Sequence, residues 1–360
     1  MNNLRSSFSS LKNKNDIADL LEINISELNS ILEEKDNRKL YRVFLISKRN
    51  GKFRKIYSPI GDLKRTQRTL ANVLNSFYVP NESIYGFVKN KNHIDNAKYH
   101  YGAKYILNID MKDFFPNIWY NQVVKSFTKE PFNCSEKIAE ILAQITCYDR
   151  SFLPQGAPSS PIISNIVFSE LDSEIEKYLR IFNNNVKYSR YADDLTFSSS
   201  NKYDLNNLFI RRKDKIYLSS ELLQIIREHK CLINYNKLKA RSINSRLEVT
   251  GLVINKSINI KREYTSNLRA ILFKCSKDGL YSTALEYIQK DCTKNPKILK
   301  LSKDESNKEK IEEWFKSVLI SKINYIGQVK GYDNHTFYSF ASKINNILNK
   351  NIYNLPTLER

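Results

Sequence analysis

Three aspartates stand where chemistry on phosphates would need them. In "RYADDLTFS" (190–198), Asp193 and Asp194 sit side by side inside an otherwise apolar, strand-like run. A surface turn accounts for most Asp-Asp pairs. Here, however, a third acid, Asp110, ends the short apolar strand "YILNID" (105–110). Phosphoryl transfer to a hydroxyl uses two metal ions about 4 Å apart, one activating the nucleophile and one holding the triphosphate. Hard divalent ions favour carboxylate oxygens, and few of them, so that substrate phosphates complete the shell. A strand-end Asp and an Asp pair at a hairpin tip supply such a set if their strands are neighbours. Each signal alone is weak, since a strand-ending Asp is more often a cap or turn residue.

The elements that must position these acids are legible as patterns. "VKYSRYADDLTFSS" (186–199) alternates about Ala192-Asp193-Asp194, which predicts a hairpin with the acids at its tip. "PQGAPSSPIISNIVFSELDSEIEKYL" (154–179) begins as a loop and continues as one long helix, with Ser160 as N-cap and Pro161 in the first turn. Ile163, Val167, Leu171 and Ile175 form its buried stripe. "VFLISKRNGKFRKIYSP" (43–59) reads as strand, Asn-Gly turn, strand. Residues 63–77 place Leu70, Val73, Leu74 and Phe77 on one helical face, and 16–32 read as two short helices packed on the body. "RLEVTGLVIN" (246–255) alternates as a strand, and beyond 261 the pattern is helical and lysine-rich. Residues 291–313 are polar enough for a mobile insertion.

Composition bounds the partners. The 360 residues are 41% hydrophobic and 27% charged, as expected of a globular chain with a sizeable core. No apolar run approaches the roughly 18 residues of a membrane helix, and the first residues lack an apolar signal core, so neither membrane insertion nor export is expected. Five scattered cysteines (Cys134, Cys147, Cys231, Cys275, Cys292), with no CxxC pair, suggest reduced thiols and a cytoplasmic setting. Lys plus Arg number 58 against 38 acids, a net charge of +20. Residues 38–68 hold eleven of those bases and one acid, Asp62, which is half of the excess. With 22 tyrosines and 18 phenylalanines along the chain, a basic groove with stacking platforms for nucleic acid is the natural inference.

"ILNIDMKDFFPNI", "LPQGAPSSPIISN" and "YADD" occur in the order and spacing of reverse transcriptases, which the chain resembles from about 40 to 255. "DNAKYH", with Asn96, Ala97 and His100, is similar to the NAxxH element of bacterial retron reverse transcriptases. "VTG" (Val249, Thr250, Gly251) is similar to their tripeptide after the catalytic hairpin. The resemblance implies an α+β right-hand polymerase fold of fingers, palm with an antiparallel sheet, and helical thumb. Its domains would be 1–100 (N-terminal helices and fingers), 101–255 (palm, with part of 117–155 open to assignment to the fingers) and 256–360 (basic, RNA-binding thumb).

The same resemblance implies roles residue by residue. Asp110, Asp193 and Asp194 would hold Mg²⁺, two ions during catalysis, with Asp113 a weaker candidate. Phe115 falls at the family's steric gate against a ribose 2′-hydroxyl. Arg54, with Lys48 or Lys52, would hold the deoxynucleoside triphosphate. Gln155 and Gly156 would line the nucleotide pocket, where a side chain beyond glycine would intrude. Lys237, in "INYNKLK", would be the proton donor to departing pyrophosphate, although Leu238 stands where a Thr is usual. His100, with no second histidine at a metal-ligand spacing, reads as a structural or RNA-contacting residue. The activity implied is copying of a cognate structured non-coding RNA into RNA-linked DNA, in an anti-phage system with a separate effector protein. The alternatives are a group II intron-like or abortive-infection reverse transcriptase, or a scaffold holding RNA-DNA for an effector.

Overall fold

The computed structural model describes residues 8–34, 36–47, 51–182, 185–213, 215–291 and 296–355. These divide into two compact units: 8–45 with 53–250, and 251–355 with 46–47 and 51–52.

The first unit opens with helices α1 (Lys14–Leu20) and α2 (Ile25–Glu33). Asn13 caps α1 by accepting from the Asn15 and Asp16 N–H groups, while Asp16 accepts in return from the Asn13 N–H, a reciprocal capping box. Strands β1 (Tyr41–Ser47) and β2 (Phe53–Pro59) pair as a two-stranded sheet. Their predicted Asn-Gly turn involves Asn50, which lies outside the described residues. Helix α3 (Gly61–Phe77) buries Leu63, Leu70, Leu74 and Phe77 as its periodicity demands. Then come α4 (His93–Tyr99), β3 (Tyr105–Asp110), α5 (Tyr120–Thr128), α6 (Glu136–Thr146), α7 (Ser160–Val167) and α8 (Ser169–Phe182). They are followed by β4 (Lys187–Tyr191), β5 (Asp194–Ser199), the hairpin β6 (Phe209–Arg212) and β7 (Lys215–Leu218), α9 (Ser220–Glu228), β8 (Lys239–Ser242) and β9 (Glu248–Val249).

The site rests on a four-stranded antiparallel sheet in the order β4-β5-β3-β8. Ile106, Leu107 and Ile109 of β3 are all buried, so this central strand is covered on both faces. Leu195 and Phe197 of β5 join the same core as Ile163, Leu171 and Ile175 of the two helices. Register is therefore strongly specified, because a one-residue slip would turn these apolar side chains over.

Three expectations need correction. The predicted single long helix is two: at Phe168 the backbone leaves helical geometry (φ −91°, ψ 6°), and α7 starts from Ser159 as N-cap with Ser160 already helical. Ser160 instead turns its hydroxyl to the Pro154 carbonyl at 2.6 Å. The predicted strand 246–255 is interrupted, because Thr250 and Gly251 take left-handed backbones (φ 46° and 85°) between β9 and the short β10 (Leu252–Val253). Part of the polar segment 291–313 is ordered as helix, α12 (Pro296–Leu301) and the start of α13 (Lys308–Lys330).

The second unit packs α10 (Arg262–Asp278), α11 (Leu280–Asp291), α13 and α14 (His335–Leu348) around Leu272, Phe315, Leu319, Ile323, Phe340 and Ile344. Its aromatics mostly serve this packing: the Tyr264 and Tyr325 rings meet at 5.4 Å, and Trp314 lies against Phe315. Tyr281 instead receives the Lys308 ammonium over its ring at 5.5 Å. Among the described residues, no helix is long and apolar enough to cross a membrane.

Candidate active site

The sheet register brings the three acids to one end. Asp110, last in β3, lies directly across from Asp194, first in β5. Asp193 occupies the two-residue turn of the β4–β5 hairpin, in which Tyr191 opposes Asp194. Its carbonyl accepts the Met111 N–H at 2.8 Å, which ties the turn to the chain just beyond Asp110. Ala192, the other turn residue, has φ 54°, a left-handed conformation normally left to glycine in such hairpins.

A neighbouring segment grips Asp110 from the other side. The Asn234 N–H donates to the Asp110 carbonyl at 2.8 Å, and Asn234 Nδ2 donates to Asp110 Oδ1 at 2.9 Å. Lys237 Nζ donates to Asp110 Oδ2 at 2.7 Å, and this bond to the carboxylate raises the lysine's affinity for its proton. Burial holds Asp194 up to about 7, with the Asp193 and Asp110 charges adding to the effect and Lys237 and Lys239 opposing it. Asp193 is raised by the same burial and by Asp110, against Lys237 and Arg54. The buried carboxylates thus stay hard to ionise even with these cations in place.

Behind the hairpin lies a buried polar web. Arg190, fully buried, meets the fully buried Asp172 through Nη2–Oδ2 at 2.7 Å and Nε–Oδ1 at 2.9 Å. The Tyr188 hydroxyl donates to Asp172 Oδ1 at 2.7 Å, and Arg190 Nη1 donates to Asn165 Oδ1 at 3.2 Å. Asn165 Nδ2 in turn donates to the Gly86 carbonyl at 3.0 Å. Residues 83–86 run beside β4: the Arg190 N–H donates to the Ser83 carbonyl at 3.0 Å and the Tyr85 N–H to the Arg190 carbonyl at 2.9 Å. Gly86 is required sterically, because a Cβ there would stand 2.4 Å from the Ala192 nitrogen.

Half-buried Phe115 meets Phe114 edge-on (centroids 5.1 Å) and Phe87 (6.0 Å). Phe114 is core, as its 7% exposure shows. Arg54 is exposed on β2, Lys52 is exposed just before it, and Lys48 lies outside the described residues. Gln155 accepts the Tyr57 N–H at its carbonyl (2.9 Å). Glycine at 156 is required by the protein itself: a Cβ would meet Ile56 Cγ2 at 2.6 Å and the Tyr57 carbonyl oxygen at 3.1 Å, and φ is 114°. Strand β2 crosses this loop too closely for a side chain. Asp113 is exposed at φ 47°, its carbonyl accepting the Asn117 N–H, which is a turn geometry.

The model of the family "Reverse transcriptase (RNA-dependent DNA polymerase)" matches residues 46–259, more than half of the chain. The Retron Ec86 reverse transcriptase of Escherichia coli is 34% identical over 264 residues, covering 72% of this chain and 77% of the relative. The chain belongs to the retron reverse transcriptases. Retron Ec83 of Escherichia coli (30% over 258 residues; 69% and 80% covered) and Retron Mx162 of Myxococcus xanthus (28% over 300; 76% and 61%) are further relatives. This reverse transcriptase is an RNA-directed DNA polymerase with the α+β right-hand fold of its family, and its template partner is RNA.

The family's divalent-ion chemistry can be tested against the residues present. Among the described residues, no three His, Cys, Asp or Glu side chains close on one point as a ready metal cage. The Lys237 ammonium sits on Asp110 instead. Asp110, Asp193 and Asp194 nonetheless fit such ions: they are hard oxygen donors, partly desolvated, and few enough to leave coordination to substrate phosphates.

The NAxxH residues are placed differently from an RNA contact. Asn96, Ala97 and His100 have no exposed surface. His100 Nδ1 and Nε2 each stand 2.7 Å from a hydroxyl, those of Ser198 and Ser189, and Ser189 Oγ donates to Asn96 Oδ1 at 2.6 Å. Because Ser189 has one proton and gives it to Asn96, His100 must donate from Nε2 and accept at Nδ1. Burial, with some help from Lys187, lowers its pKa to about 3, so it is a neutral brace between β4 and β5. Thr250 Oγ1 donates to the His93 carbonyl at 2.8 Å, so the VTG threonine reaches back to the helix that carries NAxxH. Val249 beside it is buried, and Gly251 follows at φ 85°. Sequence reasoning missed Asn234, Arg190, Asp172, Asn165, Gly86 and Phe87; Arg190 and Asn165 lay inside quoted motifs, as polar residues in apolar runs.

Proposed function

We propose that this reverse transcriptase copies a cognate structured non-coding RNA into RNA-linked single-stranded DNA, by two-metal-ion nucleotidyl transfer, within an anti-phage system that includes a separate effector protein. The observation that carries the mechanism is the cross-strand pair Asp110–Asp194 with Asp193 in the adjoining turn, a carboxylate set made hard to ionise by burial and mutual repulsion. NAxxH and VTG support the retron assignment, and a cytoplasmic setting fits it.

In this reading Asp110, Asp193 and Asp194 hold Mg²⁺. Bound there, the ions would activate the attacking hydroxyl and neutralise the triphosphate. Lys237, anchored on Asp110, carries a proton within reach of the same centre and serves as donor to departing pyrophosphate. Arg54, with Lys48 or Lys52, takes the deoxynucleoside triphosphate, for which a guanidinium offers a bidentate grip. Gln155 and Gly156 border the nucleotide, and Phe115 excludes a 2′-hydroxyl. Residues 1–100 form the N-terminal helices and fingers, 101–255 the palm and 256–360 a thumb that binds RNA through its basic surface, where Lys and Arg exceed acids by 19 to 11.

The test is Asp193→Asn, which keeps shape and removes the charge a metal ligand needs. Primer extension should be lost while RNA binding, resting on basic surface, persists. Extension at a near wild-type rate would end the assignment.

A further inference from the structure

Phe87 presents an unexplained combination of features. It is a bulky residue in a left-handed backbone conformation (φ 60°), and it remains 40% exposed. Neither feature serves the core. For side chains larger than Asn or Asp, such a backbone is an outlier held in place by its surroundings.

The surroundings do hold it. One residue earlier, Gly86 lies against the Ala192 nitrogen so closely that a Cβ would stand 2.4 Å away. Its carbonyl accepts from Asn165 Nδ2 at 3.0 Å, and the Tyr85 N–H is bonded to the Arg190 carbonyl at 2.9 Å. The backbone entering Phe87 is therefore referenced to the turn carrying Asp193. The ring contact made there is with Phe115, centroids 6.0 Å apart and planes tilted by 38°. Phe115 also meets Phe114 edge-on at 5.1 Å, and Phe114 packs on Phe168 at 5.2 Å. Phe115 thus touches both a ring buried in the core and a ring whose backbone is tied to the acidic hairpin.

We propose that Phe87 is a positioning residue for sugar selection: it holds Phe115 from the solvent side, so that the Phe115 ring cannot yield to a ribose 2′-hydroxyl. This rests on the reading of Phe115 as the steric gate. Excluding one oxygen atom requires a wall that does not move by a fraction of an ångström. A half-buried ring with a single ring partner has room to swing, whereas one with two cannot do so without breaking a packed contact. The strained, glycine-gated approach at 86–87 makes the second partner part of the same rigid body as the acids.

The experiment measures kcat/KM for matched deoxynucleoside and nucleoside triphosphates on a primed RNA template. It compares the full chain with Phe87→Ala, Phe87→Leu, Phe87→Tyr and Phe115→Val. The expected result is a fall in deoxy-over-ribo preference of about tenfold for Phe87→Ala, the scale on which packing contacts discriminate. The fall should come mainly from better use of ribonucleotides, be smaller for Phe87→Leu, and be absent for Phe87→Tyr. If Phe115→Val relaxes selectivity and neither Phe87→Ala nor Phe87→Leu does, the proposal fails and the gate stands. If Phe115→Val leaves selectivity unchanged, the gate reading fails and takes the proposal with it. A loss for both substrates in equal ratio in both truncations also overturns it, since that is the mark of a merely structural residue or a template contact.

Discussion

Arg190 and Asp172 form a fully buried, doubly hydrogen-bonded ion pair directly behind the turn that carries Asp193. Two charges with no access to water are costly unless every lone pair and proton is used. Here Tyr188 and Asn165 take up further capacity on both partners. The pair explains how a charged residue can be fully buried in β4.

Breaking it from one side leaves an uncompensated buried charge. Arg190→Met or Asp172→Leu should each lower stability by about 3–5 kcal/mol, measured by urea denaturation. The double variant should lose clearly less than the sum, because neither charge is then stranded. Strict additivity would mean that the two residues are not coupled as their distances require.

Gly86→Ala should separate geometry from folding. The new Cβ would face the backbone of Tyr191 and Ala192 at 2.4 to 3.1 Å, so the hairpin must shift. Misplacing a reacting group by about 1 Å can cost on the order of a hundredfold in rate. Primer extension should fall by more than about tenfold, with circular dichroism and RNA binding retained. Activity close to wild type would show that the turn can move without consequence.

The acid cluster trades stability for charge. Asp194 is desolvated beside two further carboxylates, so Asp194→Asn should stabilise the chain in the absence of divalent ions by about 1–2 kcal/mol while abolishing synthesis. Added Mg²⁺ should raise the melting temperature of the wild type more than that of the variant. Equal responses would place ion binding elsewhere.

His100 gives a pH dependence with a definite sign. Burial is the main cause of its lowered pKa, about 3 against an ordinary 6.5, and Lys187 of β4 adds to it. Between these values the unfolded chain takes up a proton that the folded one refuses. Stability contributed by the neutral histidine is intact above pH 6.5 and is lost progressively as pH falls toward 3, by up to about 1.4 kcal/mol per pH unit. The difference in urea midpoint between wild type and His100→Gln should therefore shrink on acidification from pH 7 to 5. A constant difference would mean that His100 titrates as an exposed residue does.

What could be read in advance followed from local repetition. The alternation around Ala192 marks the β4–β5 hairpin, and the spacing of Leu70, Leu74 and Phe77 marks α3, because each reports a face through neighbours two or four positions away. The break at Phe168 has no such mark: both halves keep the same apolar stripe, and Ser169, whose hydroxyl donates to the Ile166 carbonyl across the break, reads as an ordinary helix residue in the sequence. The supports of the site were illegible for a different reason. Gly86 against Ala192, Asn165 against Arg190 and Asn234 against Asp110 are contacts across 25 to 124 positions, and a single sequence carries no record of them. Gly156 was noticed for its type, but its neighbour turned out to be strand β2.

The hydrogen bond from Thr250 to the carbonyl of His93 spans 157 positions. It makes the two signature elements of this enzyme the two ends of one fastening. The hydroxyl of left-handed Thr250 fastens the first residue of helix α4, and that helix is held in turn by the His100 brace. Lineages carrying one element without the other would have a loose end, so the pair should travel together through descent and recombination. Anyone grafting the tripeptide into another polymerase would have to move the matching helix with it.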